Sequence, residues 1–300
     1  MKILVFGATG YAGSHLAPAL ARAGHTVLGL TRNPDSPAAR QLTIGEVTPV
    51  QGNFSDPDTW RAHLDGVDAV VHSMMDPAEP YEGDRRLFAE VVAAQERDGR
   101  KRHVVFTTGI SCYGRTGVAL MDENTPGNPE SFLSFRFQLE KELAASGLSH
   151  TIVRPGFMYG GAGTTSMSAQ WFAAAEEGKP VFYGDPEKQW SWVHIDDLAE
   201  AYVRILAHPA AVDGETFVIA DDQRLRVLDV MKVAIGVAGY TGEITMESAE
   251  AGGVLQVTAD QNELVSSAKA RRILGWTPNH ASFTDAPEVH YRAWKAARPA

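Results

Sequence analysis

The chain has 300 residues, a formal net charge of −10 and one cysteine, Cys112. An acidic balance with a pI near 5.5 argues against a nucleic-acid or membrane-surface role, and a lone thiol excludes an internal disulfide. No apolar run reaches the roughly 18 residues that span a bilayer, and residues 1–6 read as a strand rather than a leader, so a soluble protein of the reducing cytoplasm is expected.

Residues 3–6 are a short continuous apolar run, suited to a strand buried on both faces of a parallel sheet. Gly7, Gly10 and Gly13 follow in the segment GATGYAG, with Thr9 and Tyr11 between them. The first glycine permits a tight turn, the second a close approach of the main chain to a pyrophosphate, and the third the packing of a helix on the strand. The helix N-terminus then presents unpaired N–H groups and a positive dipole end to that anion. A strand before the glycines, and a helix and second strand after them, predict a dinucleotide site. NAD-selective sites carry an acid at the end of the second strand, where it binds the ribose 2′-hydroxyl. Here the position is Thr31, followed by Arg32, and no carboxylate occurs between Gly13 and Pro34. A hydroxyl beside a guanidinium suits a 2′-phosphate, so NADP is the expected cofactor. A third strand at 47–51 leads into Gly52-Asn53-Phe54, which places Asn53 and Phe54 at the adenine.

Residues 68–72 read as a fourth strand, with Ser73 and Met74 at its exit as expected cofactor contacts. A helix follows over 84–98, with apolar residues at 87, 88, 91 and 92. The pattern continues with a fifth strand at 103–107, a helix at 131–146 and a sixth strand at 151–153. Thr107, Pro155 and Phe157, after these strands, complete the expected cofactor contacts. The alternation predicts an α/β fold, a Rossmann-type doubly wound parallel sheet. A helix at 196–207 packs back on that sheet, while 215–219, 227–237 and the tail from Asn262 read as a smaller C-terminal α/β lobe. The expected domains are an NADP-binding domain over 1–156, with 194–214 packing on it, and a substrate lobe from 157–193 and 215–300. None of the ten histidines pairs with carboxylates at ligand spacing, so no metal is expected.

The segments GATGYAG, DAVVHSMM, FTTGISCYG, DENTPGNP, IVRPGFMYG, WSWVHIDDLAEAY and KARRILGWTP occur in that order. Together they resemble the extended short-chain dehydrogenase/reductase family, of the NAD(P)-dependent epimerase/dehydratase type, over nearly the whole length. The resemblance implies chemistry at a nicotinamide, a small-molecule substrate and a homodimer. It also implies a Ser or Thr after strand five and a Tyr-x-x-x-Lys pair on the next helix, whose Tyr trades a proton with the substrate. Glu140 and Leu143 set the register, and FLSFR stands where the pair belongs, with Phe132 for the Tyr and Arg136 for the Lys. The usual Ser falls on Gly109, and no Tyr lies between Gly114 and Tyr159. Phenylalanine has no proton to give, and arginine is effectively always protonated. An atypical, NmrA-like subgroup lacking the Tyr is therefore the nearer resemblance.

Arg136 remains a candidate to bind the nicotinamide ribose or a substrate oxyanion. Its bland alternative is an exposed ion pair with Glu140, worth about 0.3–0.5 kcal/mol. Thr108 and Ser111 are candidates to orient a substrate oxygen, or else to stabilise the turn, and Tyr113 is a candidate surrogate acid. His72 and His194 read as structural. Aromatic residues such as Phe157, Trp171, Trp190 and Trp192 are of the core type, yet their concentration points to an apolar or aromatic substrate. Lys179 and Lys188 are the only lysines or arginines between 157 and 192, which argues against a sugar diphosphate. The expected activity is NADP(H)-dependent reduction of a carbonyl, imine or activated alkene. The alternatives are a redox-neutral isomerase, epimerase, cyclase or dehydratase that keeps NADP bound, and a non-catalytic NADP sensor.

Overall fold

The apolar runs at Lys2–Phe6, Ala69–His72 and His103–Thr107 form strands that are almost wholly buried. In a computed structural model that describes residues 1–76, 78–163 and 165–298, they belong to one seven-stranded sheet. Its members are Lys2–Phe6 (β1), Thr26–Thr31 (β2), Thr48–Gln51 (β3), Ala69–His72 (β4), His103–Thr107 (β5), Ser149–Pro155 (β6) and Glu215–Ile219. Their order across the sheet is Glu215–Ile219, β6, β5, β4, β1, β2, β3. From β6 to β3 all neighbours run parallel. Parallel pairs need crossovers, and Gly13–Arg22 (α1), Pro37–Ile44 (α2), Glu82–Asp98 (α3) and Phe135–Ala145 (α4) lie on these connections. The strand order reverses direction at β1, between β4 and β2, and such a switch point opens a crevice at the carboxyl ends of the strands.

Two segments depart from the sequence reading. Glu215–Ile219 belongs to the main sheet, not to the smaller lobe. Phe217, Val218 and Ile219 are fully buried there, and the strand covers the edge that β6 would otherwise leave unpaired. The helix read over 131–146 starts only at Phe135. Before it, Ser131 N donates to Asn128 O at 3.1 Å and Ser134 N to Ser131 O at 3.0 Å, so residues 128–134 are spent on tight turns. Phe132 stands in that stretch, 55% exposed.

The chain divides into two units. The first comprises Met1–Thr108, Phe135–Arg154 and Ala199–Phe217, with a core that joins Phe6, Trp60, Val70, Leu87, Phe106 and Leu139. The second comprises Gly109–Ser134, Pro155–Leu198 and Val218–Ala300. Residues 109–134, counted with the nucleotide-binding domain in the sequence reading, thus group with the second unit. The core of the second unit is aromatic, built from Tyr159, Phe172, Phe182, Trp190, Trp192 and Phe283. Among the described residues no helix is long and apolar enough to cross a membrane.

Candidate active site

β1 ends in a turn that tolerates no side chain. Gly7 has φ +80°, and a Cβ on it would lie 2.8 Å from Ser73 O. A Cβ on Gly13 would lie 2.0 Å from Gly7 O, so only glycine lets α1 start this close to the strand. Gly10 N donates to Gly7 O at 2.9 Å and closes the turn. No acid sits in the first turn of α1 and no side chain caps it, which leaves its positive end for an external anion. This cradle fits a diphosphate. Gly13→Ala is expected to cost about 1–3 kcal/mol by overpacking and to abolish dinucleotide binding. Thermal unfolding with and without NADPH checks this: a ligand-induced rise in Tm equal to that of the native protein rejects the cradle.

At the end of β2, Thr31 is buried and its hydroxyl is engaged locally, accepting from Asn33 N at 3.3 Å. Arg32 is exposed and makes no ion pair among the described residues. With Gln51, Gly52, Asn53 and Thr59 it lines a cavity of about 330 Å³ that carries no carboxylate. Asn53 is exposed at this cavity, whereas the Phe54 ring turns into the core against Phe6 and Trp60. Phe54 therefore has only its main chain to offer a cofactor.

Ser73 and Met74 leave β4 beside Gly7. The Ser73 hydroxyl donates to Phe6 O at 3.1 Å. Behind them runs a buried polar row that the sequence reading did not contain. His72 Nε2 lies 2.9 Å from Asp84 Oδ1, and both residues have no exposed surface. Asp84 Oδ2 accepts from Arg136 Nη1 at 2.7 Å, while Arg136 Nη2 donates to Thr107 O. The guanidinium also lies over the Phe106 ring, 4.9 Å from its centre. The partner of Arg136 is thus Asp84 and not Glu140, because α4 turns Arg136 toward α3 and Glu140 toward β6. Glu140 takes Arg154, which donates from Nε at 3.0 Å and from Nη2 at 2.5 Å, and also accepts Thr108 Oγ1 at 2.8 Å. Thr107 Oγ1 shares a hydrogen bond with the Tyr202 hydroxyl, and burial raises the pKa of that tyrosine well above its ordinary range.

The other candidates belong to the second unit. Tyr113 is fully buried and its hydroxyl donates to Asp122 O at 2.6 Å. Ser111 is half-buried and its hydroxyl donates to Glu263 Oε2 at 2.8 Å. Glu263 is fully buried, and desolvation pushes its carboxyl up to about 7, against the hydrogen bonds from Ser111 and Gln261. Pro155 is buried, and the Phe157 ring stacks on Trp190 at 3.8 Å between centres. Met167, Trp171, Phe182, Tyr183, Lys188 and Trp190 help line a cavity of about 200 Å³. The Lys188 amine does not stand free, since it donates to Tyr183 O at 2.5 Å and lies 3.3 Å from Asp260 Oδ1. His194 stacks on His280 at 3.5 Å, and burial followed by the neighbouring His280 lowers it to about 4.

Sequence reasoning missed Asp84 and Glu263. The first had a signal: a carboxylate placed one turn before Leu87 and Phe88, on the stripe that is buried along α3. The second had none, because the residues around it are joined by tertiary contacts alone.

Residues 3–220 match the model of the NAD dependent epimerase/dehydratase family. The chain belongs to this family. The UDP-glucose 4-epimerase of Lactobacillus helveticus is 25% identical to it, over 98% of this chain and 96% of the relative. The NAD(P)H azoreductase of Xenophilus azovorans is 27% identical, over 99% and 98%. The dTDP-glucose 4,6-dehydratase of Streptomyces venezuelae, solved with NAD, matches the fold with a TM-score of 0.83 at 20% identity, covering 99% of this chain and 97% of that one. As a member of the epimerase/dehydratase family the protein is an NAD(P)-dependent enzyme of the oxidoreductase type.

Proposed function

We propose that this family member is an NADP(H)-dependent reductase whose substrate is an apolar, aromatic small molecule carrying a carbonyl, imine or other activated double bond. Arg32 carries the cofactor choice. Among the described residues its guanidinium makes no ion pair, and the cavity it lines shows no carboxylate, so a 2′-phosphate would gain charge-assisted bonds there and a 2′-hydroxyl would find no acid. Gly7, Thr9, Gly10, Tyr11 and Gly13 would hold the diphosphate, Thr31 and Arg32 the 2′-phosphate, and Asn53 with the Phe54 main chain the adenine. Ser73, Met74 and Thr107 would border the nicotinamide ring, which would supply hydride to the substrate when bound. Arg136 is a positioning residue, its fork fixing the Thr107 carbonyl and the Asp84 carboxylate. The aromatic cavity around Trp171 and Trp190 supports the substrate class, as does the likeness to an azoreductase. A cytoplasmic location fits the acidic charge and the single thiol.

Arg32→Glu is expected to weaken NADPH binding by about 10- to 100-fold, the worth of a hydrogen bond to a charged group, and to leave NADH binding nearly unchanged. Calorimetric titration of both dinucleotides checks this, and equal losses for the two reject the assignment. Turnover of an aromatic ketone with one NADPH consumed per alcohol formed, or of 4-(phenylazo)benzoic acid with one NADPH per N=N bond reduced to the hydrazo compound and two per bond cleaved to amines, tests the reaction. The likeness to a UDP-glucose 4-epimerase favours a redox-neutral second reading. Turnover with no net NADPH oxidation, by protein that keeps its dinucleotide through purification, selects it.

A further inference from the structure

The cavity beside Trp171 and Trp190 lies wholly within the second unit, and its charge is one-sided. The helix Met167–Glu176 supplies Met167, Gln170, Trp171 and Ala174 to its wall, the spacing of a single helix stripe. The strand Val181–Tyr183 and Trp190 extend the aromatic lining. Between that helix and that strand the chain makes one tight turn, in which Gly178 has φ +69° and Lys179 N donates to Ala174 O at 2.9 Å. The turn sets Lys179 on the cavity lining.

No carboxylate lines this cavity among the described residues, and its two cations differ. Lys188 is 2% exposed and already matched. One of its protons goes to Tyr183 O at 2.5 Å, a second faces Asp260 Oδ1 at 3.3 Å, and the amine lies 4.9 Å from the centre of the Phe182 ring. Lys179 is exposed and makes no ion pair among the described residues. One unmatched positive charge therefore borders an aromatic cavity, in a chain whose net charge is −10.

We infer that this cavity binds a planar aromatic carboxylate, with its ring among Trp171, Phe182 and Trp190 and its anionic end on the Lys179 amine. The inference rests on the reductase reading above and narrows its aromatic substrate to an aromatic acid. A ring gains burial and aromatic contact inside the cavity. The carboxylate stays at the exposed lysine, where it accepts a charge-assisted bond and keeps part of its hydration, so little desolvation opposes it. The amides of Gln170 and Gln256, on the same lining, add neutral N–H donors. A cationic ligand finds no acid there. A sugar diphosphate brings more charge than one lysine matches, and the volume of about 200 Å³ falls below the roughly 300–1,000 Å³ of pockets for larger ligands.

Calorimetric titration of the native protein with 4-acetylbenzoate and its uncharged isostere 4-acetylbenzamide, near neutral pH, tests the site. The acid is expected to bind about 10-fold more tightly, the worth of one hydrogen bond to a charged group that water still reaches. Lys179→Met should remove that preference and leave the amide affinity unchanged. Gln170→Glu, which adds an acid from a different element, should weaken the acid by about 10-fold and spare the amide. Both positions are exposed, so neither change threatens the fold. Added salt should erode the advantage of the acid alone. Equal affinities in the native protein, a preference that survives Lys179→Met, or indifference to Gln170→Glu overturns the assignment. Preferential binding controlled by Lys179, without NADPH oxidation on 4-acetylbenzoate or any other aromatic ketone or azo compound, supports the acid site and removes the reductase reading. NADPH-linked reduction of acid and amide bound equally well keeps that reading and overturns the acid site.

Discussion

Arg136→Ala is expected to unfold about 3–5 kcal/mol more easily than the native protein, roughly ten times the cost of losing an exposed helix pair. The reason is what remains behind. Asp84 is fully buried in α3, and without the guanidinium its carboxylate keeps, among the described residues, only His72 as a neighbour able to carry the opposite charge. Removing one member of a buried pair leaves an uncompensated charge, whereas removing both can be neutral or stabilising. The double variant Arg136→Met/Asp84→Leu should therefore recover most of the loss, with a coupling energy above about 1 kcal/mol in the cycle. Urea unfolding without dinucleotide measures all four proteins. A loss under about 1 kcal/mol in Arg136→Ala would show that the pair is not dry.

A second large effect is expected from Asp221 in the second unit. Its Oδ2 is buried with no hydrogen bond among the described residues, and its Oδ1 accepts from Gln223 N at 3.0 Å. Desolvation outweighs that bond and pushes the carboxyl from its ordinary 3.8 up to about 7. The folded state then holds the proton more tightly than the unfolded chain. The stability it contributes is complete below about pH 4 and is lost as pH rises to about 7, by about 4 kcal/mol in all. Glu263 acts in the same direction, being raised to about 7 by burial. His103 and His194 act in the opposite one: burial lowers both to about 4, so their contribution grows as pH rises from 4 to the ordinary 6.5. The two effects oppose each other in the native protein, and variants separate them. Stability of the native protein minus that of Asp221→Asn should fall steadily between pH 4 and 7 and then level. A difference that does not change with pH refutes the burial argument.

The glycine turn after β1 and the start of α1 were legible in the sequence because their determinants are local. Gly7, Gly10 and Gly13 act on a turn and a helix start within a few residues of themselves, and the pairing of Thr31 with Arg32 at the end of a strand is set by strand length. The strands β1, β4 and β5 were legible too, since each is a short apolar run of strand length, and each is buried in the sheet. Glu215–Ile219 was misassigned for a related reason. An apolar run declares that it is buried but not against which edge, and only the exposed flank of β6 decided that.

The catalytic half was not legible. The resemblance set Phe132 and Arg136 at the positions expected for Tyr and Lys, but the sequence could not say what those side chains touch. Helix register turned Arg136 onto Asp84, 52 residues earlier, and Glu140 onto Arg154. Spacing along α4 had offered a pairing of Arg136 with Glu140 only as the alternative to a functional role. Ser111 and Glu263 are 152 residues apart and meet because Glu263 is held against 189–191 by main-chain bonds. Periodicity, glycine geometry and charge at a strand end are properties of a chain segment, and the sequence determined them. Which polar groups are dry, and which partner each one finds, depends on the packing of distant segments, and the tertiary structure alone decided it.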